Sequence, residues 1–339
     1  MVTVAPSDDL RALASALGDR ATLMKPLGPL TTYGVGGPAA LFVEIAGPAD
    51  LDAVRGVLRE GADGVPLFVI GRGSNLLVAD VGFDGIAVHL GPGFAELELP
   101  PGDAGEPLVR SGAALALPVL ARRVADAGWA GLSWAVGVPG SVGGAVRMNA
   151  GGHGSDMASC LERYRWVDLL GPEEGTDDVA KLEYAYRSSS VTASQLVVSA
   201  DLRVTAGSSE KEQAEVAEIV RWRREHQPGG SNAGSVFTNP EGDSAGRLID
   251  EAGLKGFGLG TAHVSEKHAN FIQAERGGRA DDVRAVMEHV REVVAERCGV
   301  SLRTEVRLLG FGAGETGGVP ESESEHESSG EGHRAEGRR

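Results

Sequence analysis

Cysteine is scarce in this sequence: Cys160 and Cys298 are the only two, far apart along the chain. That count argues against a disulfide framework or a cysteine-built zinc site, and two reduced thiols in a cytosolic protein are expected. Long apolar runs are missing as well. No stretch of about 18 apolar residues occurs, so no transmembrane helix is expected. The opening MVTVAPSDDLRALASALGDR has neither the basic start nor the apolar stretch of a secretory signal, and the expected location is cytoplasmic. Basic residues are in deficit: 32 Lys and Arg face 48 Asp and Glu, a net charge of −16. Nucleic acid and membrane are therefore poor partners, although local arginines and backbone N–H groups can still line a pocket for an anionic small molecule. No metal site is expected. His263 and His268 stand five apart, off the H-E-x-x-H spacing, with no further ligand cluster nearby.

What is abundant is glycine, 50 of 339 residues, about twice the usual share. Hydrophobic residues at 42% and charged residues at 24% are ordinary for a globular protein with a sizeable core. The length suggests two domains. Helical spacing at 8–18 is followed by Pro- and Gly-rich punctuation. From residue 29 to 206 the runs 40–46, 66–71, 85–90, 164–170 and 195–204 read as strands, with helical windows at 49–60 and 117–127. That mixture predicts an α+β domain. Composition shifts near 207, where Ser208 and Ser209 can cap a helix with an acidic first turn. Helical 244–253, a strand at 269–273, a helix near 279–298 and a strand at 301–310 complete a second α+β domain. The expected division is an N-terminal helix and linker (1–28), a first domain (29–206), a second (207–311) and a disordered tail (312–339) poor in apolar residues.

Several stretches have chemical potential. VIGRGSNLLVAD (69–80) sets Gly71 and Gly73 directly after an apolar strand, where consecutive N–H groups can cradle an anion or simply end the strand. The dinucleotide fingerprint fails there, because Leu76 occupies the third glycine position. AVGVPGSVGGAVRMNAGGHGSD (135–156) is too apolar for a linker and reads as a rigid, turn-rich segment against a flat cofactor. It is no nucleophile elbow, since Pro139 stands two residues before Ser141. Arg187 in YAYRSSS is either solvated or functional. Arg221, Arg223, Arg224 and His226 cluster on an acidic helix, where pairing with glutamates competes with facing an anionic ligand. Glu305 interrupts an apolar strand, either facing solvent or serving chemistry. Ser235 in SNAGSVFTNP is a hydroxyl on a small-residue turn, structural or reactive.

Taken together, TTYGVGGPA (31–39), GRGSNLLV (71–78), GVPGSVGGAVRMNAG (137–151), YRSS (186–189), NAGSVFTNP (232–240), SAGRLIDEAGLKG (244–256), VSEKHANFI (264–272) and EVRLLG (305–310) resemble the UDP-N-acetylenolpyruvoylglucosamine reductase family of bacterial cell-wall flavoenzymes, in its shorter, type II form. The resemblance implies a two-lobed FAD-binding domain of the vanillyl-alcohol oxidase-like (PCMH) type, followed by a substrate-binding domain. FAD would lie along Gly71, Arg72, Gly73, Ser74, Asn75 and Leu76, and along Gly137, Pro139, Gly140, Ser141, Gly143, Gly144, Asn149, Ala150 and Gly151. NADPH would reduce the FAD, and UDP-GlcNAc-enolpyruvate would then be reduced to UDP-N-acetylmuramate by a protein expected to be monomeric. By the same resemblance Arg187 stabilises negative charge, Ser235 donates the proton and Glu305 is the partner carboxyl. Asn239, His226 and His268 would line the substrate pocket. His226 stands about where the family commonly has Lys, and Gly34 where Arg is common. The alternative is another FAD enzyme of the same fold, an alcohol or sugar oxidase. The strings around Ser235 and Glu305 argue against it.

Overall fold

The computed structural model describes residues 3–102 and 105–312. Of the tail expected to be disordered, residues 313–339 lie outside the described residues. Helix Asp8–Leu17 starts at Ser7, whose hydroxyl accepts from the Leu10 N–H at 3.3 Å. Its Leu10, Leu13 and Leu17 repeat at helical spacing and are buried beside Leu51, Val54 and Leu58 of helix Pro48–Gly61. A four-stranded sheet underlies them, in the order Ala21–Pro26, Pro38–Ile45, Phe83–Leu90, Leu67–Ile70. The first pair is antiparallel and the other two are parallel. A second lobe is a five-stranded antiparallel sheet, ordered Glu174–Asp178, Leu161–Asp168, Gln195–Arg203, Leu108–Gly112, Leu97–Glu98.

Helix Ser209–His226, expected to open the second domain, buries Val216 and Ile219 in the core shared by these two lobes. A separate core forms around helix Ala280–Cys298, whose Val283, Val286, Met287, Val290 and Val294 make one apolar stripe. Helix Ala245–Glu251 and a three-stranded sheet (Gly258–Leu259, Ala262–Val264, Ile272–Ala274) close over it. Tyr33, Val35 and Leu77 reach into this core from the N-terminal half. Strand Arg307–Leu309 also crosses back, pairing in parallel with Leu76–Val78. The chain's last described strand is thus fixed against the strand that follows the Gly71–Asn75 turn.

Three expectations need correction. The Gly-rich segment contains a helix, Val142–Met148, begun by Ser141, whose hydroxyl accepts from the Gly144 N–H. Two glycines are tolerated there because space is short: a Cβ on Gly143 would stand 2.9 Å from the Ala113 Cβ. The strand expected over 301–310 is only Arg307–Leu309, preceded by an isolated bridge between Phe237 and Thr304. The one expected over 269–273 is Ile272–Ala274, because the Asn270 side chain is spent on the backbone of Phe237.

Candidate active site

Two adjoining cavities, of about 740 Å³ and about 350 Å³, open between the lobes. The turn Gly71–Asn75 lines the larger one, and Gly71 and Arg72 line both. Gly73 has φ +56°, and a Cβ there would meet the Leu30 carbonyl oxygen at 2.2 Å, so only glycine lets the turn press this close. Thr32 N–H donates to the Gly73 carbonyl at 3.1 Å and Arg307 N–H to that of Asn75 at 3.0 Å. The turn's own N–H groups are left over. Those of Gly71, Arg72, Gly73, Ser74 and Asn75 donate to no protein acceptor among the described residues. Successive free N–H groups beside a cavity form an anion seat, and this is the observation that fits a diphosphate-bearing cofactor such as FAD. Leu76 follows in the cleft wall. Gly137, Pro139, Gly140, Ser141, Gly144, Ala150 and Gly151 line the same cavity, while Gly143 faces the smaller one. Asn149 differs. It is buried at the helix end with φ +42°, where its amide donates to the Ala185 carbonyl and accepts from Ala158 N–H. It positions the Arg187 loop instead of lining the cavity.

Arg187, Ser235 and Glu305 all line the larger cavity. Arg187 has φ +56°, a conformation costing a non-glycine residue about 1 kcal/mol or more. Reciprocal 3.2 Å hydrogen bonds between Ala185 and Ser188 pinch the loop into that shape. Its guanidinium donates Nε to Glu305 Oε1 at 2.8 Å and reaches the carbonyls of Asn149 (3.3 Å) and Gly151 (3.0 Å), stacked over the Tyr186 ring. Glu305 is far from solvent-facing: its side chain is 12% exposed, and burial pushes its carboxyl above the usual range against the opposing pull of Arg187. Glu305 N–H donates to the Val236 carbonyl at 2.8 Å, which ties this carboxyl to the residue after Ser235. The Ser235 turn is clamped on both sides. Asn232 accepts from Gly234 N–H, and Val236 N–H donates to the Asn270 carbonyl. The Asn270 amide holds both the N–H and the carbonyl of Phe237. Amid this scaffold, the Ser235 hydroxyl has no protein partner among the described residues.

The expected substrate residues divide. Asn239 lines the cavity while its side chain accepts from Ala245 N–H. His226 is exposed, stacked on Trp222 at 4.6 Å, and His268 is half-buried against Phe271; neither lines either cavity. Sequence reasoning passed over Arg147 and Arg307, and for Arg223 it left pairing with glutamates and facing an anionic ligand both open. All three line the larger cavity, and burial lowers the pKa of each, that of Arg147 to about 10 with further repulsion from Arg307. None forms an ion pair with a carboxylate among the described residues; Arg223 donates to Gln227, Arg147 to the Thr192 carbonyl. The available signal was an arginine inside an otherwise apolar, glycine-rich string.

Comparisons with known proteins identify the family. The family model "UDP-N-acetylenolpyruvoylglucosamine reductase, C-terminal domain" matches residues 226–309, and "FAD binding domain" matches residues 44–174. A UDP-N-acetylenolpyruvoylglucosamine reductase of Heliobacterium modesticaldum is 41% identical over 300 residues, covering 87% of this chain and 92% of the relative. One from Gloeobacter violaceus is 41% identical over 292 residues, covering 84% and 95%. The crystal structure of the Thermus caldophilus reductase superposes with a TM-score of 0.71 at 34% identity, over 85% of this chain and 98% of that one. With matches of this length and identity, the chain belongs to the UDP-N-acetylenolpyruvoylglucosamine reductase family.

Proposed function

We propose that Ser235, Arg187 and Glu305 carry the protonation half of the reaction in an FAD-dependent reductase that converts UDP-GlcNAc-enolpyruvate to UDP-N-acetylmuramate. As a family member the chain is a flavoprotein oxidoreductase of peptidoglycan precursor synthesis that uses NADPH. Bound FAD supplies the hydride that NADPH has delivered to it. The protein supplies position and charge. The N–H groups of Gly71–Asn75 hold negative charge on the cofactor, and the Gly137–Gly151 segment walls the cleft. As the substrate's vinyl carbon gains hydride, negative charge moves onto its carboxylate. Arg187, already paired with a carboxylate in Glu305, is the group able to take that charge. The proton for the internal carbon comes from the Ser235 hydroxyl, and Glu305, held toward its protonated form by burial, supports that transfer.

The observation carrying this reading is the unpartnered Ser235 hydroxyl on a turn clamped on both sides, in the cavity that also holds the Arg187–Glu305 pair. Asn239 is retained as a substrate contact. His226 and His268, outside both cavities, are kept only as second-rank candidates for the distal part of the nucleotide. We further infer a monomeric cytoplasmic enzyme with no nucleic-acid or membrane partner. The net charge is −16, and no described helix is long and apolar enough to cross a membrane. The test is direct. Purified protein mixed with FAD is expected to show a bound-flavin spectrum and, without oxygen, to oxidise NADPH beyond one equivalent per flavin only when UDP-GlcNAc-enolpyruvate is present. No flavin spectrum, or NADPH oxidation indifferent to that substrate, would overturn the proposal.

A further inference from the structure

Arg147 stands where the two cavities meet. It lines both, as do Gly71, Arg72, Ser141 and Gly144, whereas Arg187, Ser235 and Glu305 line only the larger one. A dinucleotide has the matching order: a flat ring system at one end, an adenosine at the other and a diphosphate between. If the flavin ring occupies the larger cavity beside Ser235, the diphosphate falls at the junction and the adenosine enters the smaller cavity. That smaller cavity suits a base. Its wall includes the stacked Phe42 and His89 rings, 6.1 Å apart, with Lys25 over Phe42.

We propose that Arg147 is a diphosphate-binding residue of this chain, completing with its guanidinium the anion seat begun by the free N–H groups of the Gly71–Asn75 turn. The inference rests on the flavoenzyme reading above and adds a residue to it. Arg147 leaves the helix Val142–Met148 and is half-buried. The only hydrogen bond of its guanidinium among the described residues runs from Nη1 to the Thr192 carbonyl at 2.6 Å. That contact fixes the side chain and leaves most of its donors, and its whole charge, uncompensated. Arg307 adds like charge nearby, and Arg307 N–H is bonded to Asn75 of the same turn. Two cations crowded together without a carboxylate form an arrangement that a dianion relieves. Glu44, the one carboxylate lining the smaller cavity, pairs with neither of them.

The experiment measures FAD release from the diluted holoenzyme by recovery of flavin fluorescence, at low and at high salt, for wild type, Arg147→Gln and Arg147→Lys. Loss of charge-assisted bonds to a phosphate is expected to raise the Kd of Arg147→Gln for FAD by about ten- to a hundred-fold at low salt. The gap should shrink as salt screens the wild-type attraction, and Arg147→Lys should recover part of the affinity at low salt. A loss of the same size at every salt concentration would make Arg147 a mere prop for the Thr192 loop and overturn the proposal. So would unchanged FAD affinity with a raised KM for NADPH, which would assign the arginine to the reductant. A wild-type protein that retains no FAD would instead sink the flavoenzyme reading and this inference with it.

Discussion

Replacing Ser235 by alanine separates chemistry from structure unusually well. The hydroxyl donates to and accepts from no protein group among the described residues, so its removal strands no buried partner. The turn itself is held by backbone bonds and by Asn232 and Asn270, none of which uses the serine side chain. Stability should therefore change by no more than about 0.5 kcal/mol. Catalysis should not be so spared. If Ser235 is the general acid, its loss removes a contribution of about 10²- to 10⁴-fold, or about 3–5 kcal/mol of barrier. Anaerobic stopped-flow measurement of flavin absorbance divides the cycle in two. Reduction of the enzyme by NADPH involves no protonation of the enol ether and should proceed at nearly the wild-type rate. Reoxidation by UDP-GlcNAc-enolpyruvate should slow by the full factor. Equal slowing of both halves, or a reoxidation rate within a few-fold of wild type, would refute the assignment.

Glu305 binds its proton more tightly in the folded chain than in the unfolded one, so its contribution to stability is complete at low pH and is lost as pH rises through the raised pKa. Glu305→Gln should flatten that part of the Tm-against-pH curve. A curve of unchanged slope would show the carboxyl to titrate normally. The same reasoning couples ligand to proton: a substrate carboxylate at Arg187 weakens that residue's hold on Glu305 and should draw a proton onto it. Calorimetric binding of UDP-N-acetylmuramate in buffers of different ionisation enthalpy should register uptake that Glu305→Gln abolishes. Asn270→Ala, in contrast to Ser235→Ala, removes two bonds to the Phe237 backbone and should cost about 2–3 kcal/mol in denaturant unfolding while slowing substrate turnover. Gly73→Ala forces a Cβ against the Leu30 carbonyl at positive φ and should release FAD on gel filtration, an outcome not expected if the turn merely ends a strand.

Three of the four strands of the first sheet were legible because their apolar runs are bounded by glycine or proline. The helix Ala280–Cys298 was legible because its buried residues recur at helical spacing. The short edges were not. Strand Ala21–Pro26 is half-buried and carries lysine and proline, and Glu174–Asp178 is three-fifths acidic, so neither shows a pattern without its partner strand. Helix Val142–Met148 was hidden by its glycines, which disfavour a helix in isolation and serve here to admit Ala113. The site divides the same way. Ser235, Arg187 and Glu305 became readable through family resemblance, because nothing in their local spacing says that Arg187 and Glu305, 118 positions apart, share a hydrogen bond. The burial of Glu305 was misleading from sequence, since its neighbours along the chain alternate as a surface strand would.

Net charge describes the whole surface and says little of the cleft. The chain stands at −16, yet its cleft contains Arg147, Arg223 and Arg307, none of them ion-paired among the described residues, the local concentration of arginine that an acidic total leaves room for. Partial burial makes each of these charges costly, which is why their pKa values fall. Such a cost persists in a folded protein only where something offsets it, and three anionic ligands passing through one cleft would do so in turn. Arg187 is the exception that explains the rest. Among the described arginines of the cleft it alone has a carboxylate partner, so it is the cation that need not wait for a ligand, and its charge is shared with the Glu305 carboxyl. On the function proposed above, the unpaired arginines serve binding and the paired one catalysis. That division rests on where the carboxylates lie, which neither the charge total nor the order of residues along the chain discloses.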